Sequence, residues 1–165
     1  MEFLLTEIER ALDAGLYYIA LQSALTLPDI CAALMSPNGK TKKEKYVQWY
    51  DTYAMEPGPN SLSGEDCYFL RCACLHQGQA QHEKSSYQKI IFQQPGNKNL
   101  QMHYVIIADA LYIDIILFCK NVVSAVRKWE PIVRDNPVYA ANYPNLLQLR
   151  PNGLPPYISG IPVIA

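Results

Sequence analysis

Charge is what this chain has least of. Fourteen Lys and Arg and fifteen Asp and Glu make up 18% of 165 residues and nearly cancel, leaving a net −1. With a pI near 6.3 there is no bulk field to hold a nucleic acid. Any such binding must rest on a local patch, and nothing signals DNA. No internal repeat and no low-complexity tract appears. A secretory leader is not expected, because Glu2, Glu7, Glu9 and Arg10 interrupt the first apolar residues. The longest apolar stretch, "VIIADALYIDIILFCKNVVSAV", carries Asp109, Asp114 and Lys120, which argues for a buried helix over a membrane span. Five cysteines, an odd number, read as reduced thiols of a cytoplasmic protein.

Half of the residues are hydrophobic, enough for one domain with a proper core. Leu4, Ile8 and Leu12 repeat as one face of a first helix, which Gly15 breaks. A second helical pattern runs through "LYYIALQSALTLPDICAALM", kinked or restarted at Pro28. Tyr46, Trp49, Tyr50 and Tyr53 form the stripe of a third, with Lys40, Lys42, Lys43 and Lys45 clustered ahead of it. "YQKIIFQQ" and "LQMHYVII" around "PGNKN" read as a β-hairpin over about 86–108. A long helix is expected from about Asp109 to Val133, its buried face marked by Ile115, Phe118, Val122, Val126 and Trp129. Seven of the twelve prolines lie beyond residue 130. The tail 136–165 is therefore no long helix, yet it is too apolar for a disordered one. It is expected to pack on the body, 1–135, or on a partner subunit.

The segment "SGEDCYFLRCACLHQG", 63–78, carries the candidate chemistry. Ser63 and Asp66 make a capping box and Gly78 suits the left-handed stop, so a helix spans Glu65 to His76. It is apolar on nearly all sides, which suits a central helix or a subunit interface. Arg71 sits in its middle, permanently charged, and needs an anion: Asp29, Asp51, Asp66 or a ligand phosphate. His76 follows five residues later in the last turn, an imidazole that can take or give a proton. A fixed cation beside a proton carrier is a minimal kit for metal-free phosphoryl transfer.

The Arg-x4-His element, Arg71 to His76 in "LRCACLHQG", resembles the signature of the HEPN superfamily (higher eukaryotes and prokaryotes nucleotide-binding). The resemblance covers 1–78 and the long helix near 109–133. It implies an all-α bundle of four to five helices, here with a small hairpin insertion and the proline-rich tail, and a homodimer in which two motifs share a cleft. It also implies a metal-independent endoribonuclease or RNA- or nucleotide-binding protein of toxin or phage-defence type. Such a protein would be paired with an antitoxin or a nucleotidyltransferase. Arg71 and His76 would be catalytic, supported by Glu65 or Asp66. Cys72 stands where catalytic members commonly carry asparagine or aspartate, which keeps open a non-catalytic dimerisation or nucleotide-sensing scaffold.

Blander roles stand beside these. Arg71 also fits a structural ion pair, and His76 a cap on the last carbonyls. The lysines at 40–45 also fit a solvated helix start, against phosphate contacts. The cysteines and His76 lie on one helix, a poor frame for a tetrahedral metal, so neither a metal nor a cofactor is expected.

Overall fold

The computed structural model describes residues 1–96 and 100–165. Among these, about half the chain is helical, in six α-helices accompanied by seven short strands. The helices are α1 (Glu2–Asp13), α2 (Tyr17–Leu34), α3 (Lys43–Tyr53), α4 (Gly64–Gln77), α5 (Ile115–Val133) and α6 (Pro137–Asn142). Helix α2 packs against α1, α3, α4 and α5 and so forms the middle of the bundle. The fully buried Trp129, Tyr46, Tyr50 and Phe118 fill the space between helices.

An all-α class therefore needs correcting: small sheets accompany the helices. Strand β1 (Lys89–Gln93) does not fold back on the residues that follow it. It pairs in parallel with β3 (Ala110–Asp114), and β2 (Val105–Ile107) lies antiparallel on the other side of β3. Burial explains the order. Ile90 of β1 and Leu111 and Ile113 of β3 are buried, and Phe92 meets Phe118 of α5 edge-on at 5.4 Å. The residues of β2 are all exposed, so β2 takes the edge. The real hairpin is β2–β3. It turns at Ala108 and Asp109, whose φ values of 49° and 63° place both in the left-handed region that a two-residue hairpin needs. The turn expected within "PGNKN" falls in part on 97–99, outside the described residues.

The long helix starts six residues later than expected, because 110–114 are strand. Asp114 stops the strand and caps α5, its Oδ1 accepting from the N–H groups of Ile116 (2.9 Å) and Leu117 (3.0 Å). Arg127 of α5 clamps α1: it forks onto Glu9 (2.6 and 2.7 Å) and reaches Glu2 (2.6 Å).

The tail begins with α6, then a single 3-10 turn at Tyr143–Asn145. Asn142 points its amide at the end of α2 and donates to the carbonyls of Leu34 (3.0 Å) and Ser36 (2.8 Å). Helix termini leave such carbonyls without partners, and here the tail supplies one. Beyond it, β4 (Leu149–Arg150) pairs with β7 (Val163–Ile164), and β5 (Gly153–Leu154) with β6 (Ile158–Ser159).

Candidate functional site

Helix α4 holds the two residues that matter most. Ser63 Oγ accepts the Asp66 N–H at 3.0 Å and donates to Asp66 Oδ2 at 2.7 Å, which starts the helix. At the other end Gly78, φ 65°, turns the chain so that its own N–H and that of Gln79 cap the carbonyls of Cys74 and Ala73. Gly64 fixes where α4 sits. Its N–H donates to Asp51 Oδ1 at 2.6 Å, and a Cβ there would meet the Val47 carbonyl at 2.7 Å. Only glycine lets α4 approach α3 so closely.

Arg71 finds its anion on α2. Pro28 lacks the N–H of a normal helical residue, and Tyr46 donates its hydroxyl to the nearby Leu25 carbonyl at 3.0 Å. The next residue is Asp29, whose Oδ2 lies 2.5 Å from Arg71 Nη2. The contact is a charge contact off the ideal hydrogen-bond axis, and Oδ2 has no aligned donor among the described residues. The side chains of Arg71 and Asp29 keep 20% and 12% of their exposure. Burial pushes the Asp29 carboxyl up, against the pull of Arg71 and of His76. On Arg71 burial is the largest single influence and pulls down, but Asp29 and Cys72 together outweigh it and hold the guanidinium higher still. The two directions disagree about which partner the pair favours. The guanidinium decides, because it keeps its proton at any working pH, so Asp29 remains its counter-charge at neutrality.

The other guanidinium nitrogen faces outward. Arg71 Nη1 lies 3.4 Å from His76 Nε2, and His76 is exposed at the solvent end of α4. The Cys72 thiol stands 3.7 Å from the same nitrogen, and the Tyr68 ring lies 5.9 Å from the guanidinium carbon. A line thus runs from a buried carboxylate, through a fixed cation, to an exposed imidazole. Chemically it offers a place for a phosphate beside a group that can take or give a proton.

The remaining sequence candidates are not drawn into this line by any contact. Asp66 is buried, and its Oδ1 accepts from the Ser86 N–H (2.6 Å) and Ser85 Oγ (3.2 Å), which ties the loop after α4 back to the helix start. Glu65 is exposed and pairs with Lys43. Lys43 also lies over the Phe69 ring, 4.4 Å from its centre, and His82 stacks on the same ring. Lys45 donates to Ser36 Oγ at 2.7 Å, while Lys40 and Lys42 stand in solvent. The lysines are therefore dispersed among separate partners. Tyr68 is the neighbour that sequence reasoning passed over. It lies three residues before Arg71, the spacing that puts two side chains on one helical face.

Among the described residues no three or more His, Cys, Asp or Glu side chains cluster as a metal cage. No helix among them is long and apolar enough to cross a membrane. Compared with protein-family models, with curated proteins and with solved structures, the chain finds no match.

Proposed function

We propose that the chain is a HEPN-like protein that cleaves RNA without a metal, through Arg71 and His76. One observation carries the reading: the guanidinium and the exposed imidazole touch, at 3.4 Å, while Asp29 holds the guanidinium from behind. The resemblance of Arg71-x4-His76 to the HEPN signature supports it. A phosphate entering between the two takes N–H donors from Arg71 and frees His76 Nε2. That nitrogen then receives the proton of the 2′-hydroxyl as the hydroxyl oxygen attacks the adjacent phosphorus; the bond from phosphorus to the 5′-oxygen breaks, and a solvent proton neutralises that leaving oxygen, giving a 2′,3′-cyclic phosphate and a 5′-hydroxyl. Arg71 stabilises the charge that builds on the phosphorus oxygens. A homodimer in a cytoplasmic toxin or defence setting, with an antitoxin or nucleotidyltransferase partner, belongs to the same reading.

A second reading has its own support. Asp29 already neutralises Arg71, and Cys72 occupies the polar position after it. A non-catalytic scaffold that binds a nucleotide or dimerises needs no more. Incubation with mixed single-stranded RNA in EDTA between pH 6 and 8 separates the two. The nuclease reading expects cleavage, slowed about a hundredfold to ten-thousandfold in His76→Ala with helix content unchanged. Intact RNA with the unsubstituted chain leaves only the scaffold.

A further inference from the structure

Beside Arg71 and His76 a groove begins. Leu75, next to His76, lines a hollow of about 320 Å³ with Gln22, Thr26 and Ile30 of α2. Leu146, Leu147 and Ile164 of the tail make its other wall. A second hollow, of about 340 Å³, shares Ile30 and Leu146 with the first and runs on past Ala33 to Asn38, Asn142 and Asn145. Gln22, Thr26, Ile30 and Ala33 follow the helical repeat, so they lie on one stripe of α2. That stripe is about 16 Å long by the helical rise. Asp29, the counter-charge of Arg71, adjoins it.

The floor is largely aliphatic. Near its start the polar side chains are already engaged, Gln22 with the Tyr18 hydroxyl and Thr26 with the Ser23 carbonyl. Free amides gather at the far end. Asn142 spends its Nδ2 on the carbonyls of Leu34 and Ser36, so it offers Oδ1. Gly39 keeps that oxygen open, since a Cβ there would stand 3.3 Å from it. Asn38 Oδ1 accepts the Lys40 N–H at 3.1 Å, which leaves its Nδ2 to donate. Asn145 is exposed, and neither atom of its amide has a partner among the described residues. A mostly apolar pocket with a few convergent polar groups is the ordinary form of a ligand site.

The charges around the groove have one sign. No carboxylate lines either hollow. Lys40 follows Gly39 at the rim, and Arg150 donates to the carbonyl of Pro144, the residue before Asn145, at 3.4 Å. Neither cation pairs with a carboxylate among the described residues. Together with Arg71 they suit an anionic strand.

We propose that single-stranded RNA beside the scissile phosphate lies in this groove, and that Asn145 reads an adenine at its far end. This rests on the nuclease reading for the phosphate at Arg71 and His76. Adenine sets a ring-nitrogen acceptor, N7, beside an amino donor, N6, the pair that a carboxamide matches with Nδ2 and Oδ1. Asn142 Oδ1 is a second acceptor for that amino group. Uracil has a carbonyl in its place, which would face Asn142 Oδ1 with another oxygen. In an A-form duplex the adenine edge lies in a deep groove that side chains do not read, so the strand is single.

Fluorescence anisotropy tests this on the full chain carrying His76→Ala, which blocks the proposed cleavage. The probes are labelled RNA strands of about five nucleotides, one all uridine and one with adenosine in the middle. The strand with adenosine binds about five- to a hundredfold tighter. Asn145→Leu removes that difference with an unchanged far-UV spectrum. Lys40→Gln weakens both strands alike and lowers the salt dependence. Equal binding of the two strands, binding of neither at about 100 µM chain, or a preference that Asn145→Leu keeps overturns the proposal. Cleavage by the unsubstituted chain is read separately: RNA left intact there removes the nuclease, while the base preference stands or falls on binding alone.

Discussion

Arg71 takes a permanent charge into a helix surrounded by apolar neighbours, and Asp29 is what makes that tolerable. Removing one member of a half-buried pair leaves the other without a partner, which costs more than the pair is worth. Asp29→Asn therefore lowers unfolding stability by about 1–3 kcal/mol, read as a drop in the urea midpoint at constant slope. The double variant Asp29→Leu with Arg71→Met recovers most of that loss, because it orphans nothing. A double variant as unstable as the single one would show that the two residues act separately.

At the scale of elements, α1 and α5 are held by buried side chains and by Arg127 at the surface. Its hydrogen bonds and charge pull the carboxyls of Glu2 and Glu9 below the ordinary 4.5. Groups shifted this way stabilise fully above the unfolded value and lose the contribution as the pH falls through the folded one. Arg127→Met is therefore less stable than the parent by about 0.5–1 kcal/mol at pH 7, since the cluster is well exposed. The deficit shrinks once the pH drops below 4.5, which thermal or urea unfolding at pH 7 and pH 3 measures. An equal deficit at both values means that the arginine's stem, not its charge, holds the helices. Such local elements were readable in the sequence where one residue type at one position decides them. Ser63, Asp66 and Gly78 start and stop α4 as their chemistry requires. The sheet was not readable, because β1 and β3 pair across sixteen intervening residues for reasons of burial. The turn between β2 and β3 uses Ala108 and Asp109, not the glycine that marks such turns. In "ALYIDIILF" a buried strand and a buried helix look alike, and only Asp114 marks the change.

At the scale of the whole molecule, the bundle brings Asp29 on α2 to Arg71 on α4, an encounter between residues 42 apart in the chain. Sequence reasoning reached Arg71, His76 and a short list of anions for the arginine. Choosing Asp29 from that list required the packing of α2 on α4, and so did separating the lysines, which share a segment but not a surface. The proposed cleavage uses the 2′-hydroxyl as nucleophile, with His76 taking its proton and Arg71 holding the phosphate. The chemistry of the new RNA ends reports this directly. Fragments made in EDTA should carry 2′,3′-cyclic phosphate on one side of the cut and 5′-hydroxyl on the other, and should not form with His76→Ala. Fragments ending in 3′-hydroxyl and 5′-phosphate, or ends unchanged by His76→Ala, would contradict it.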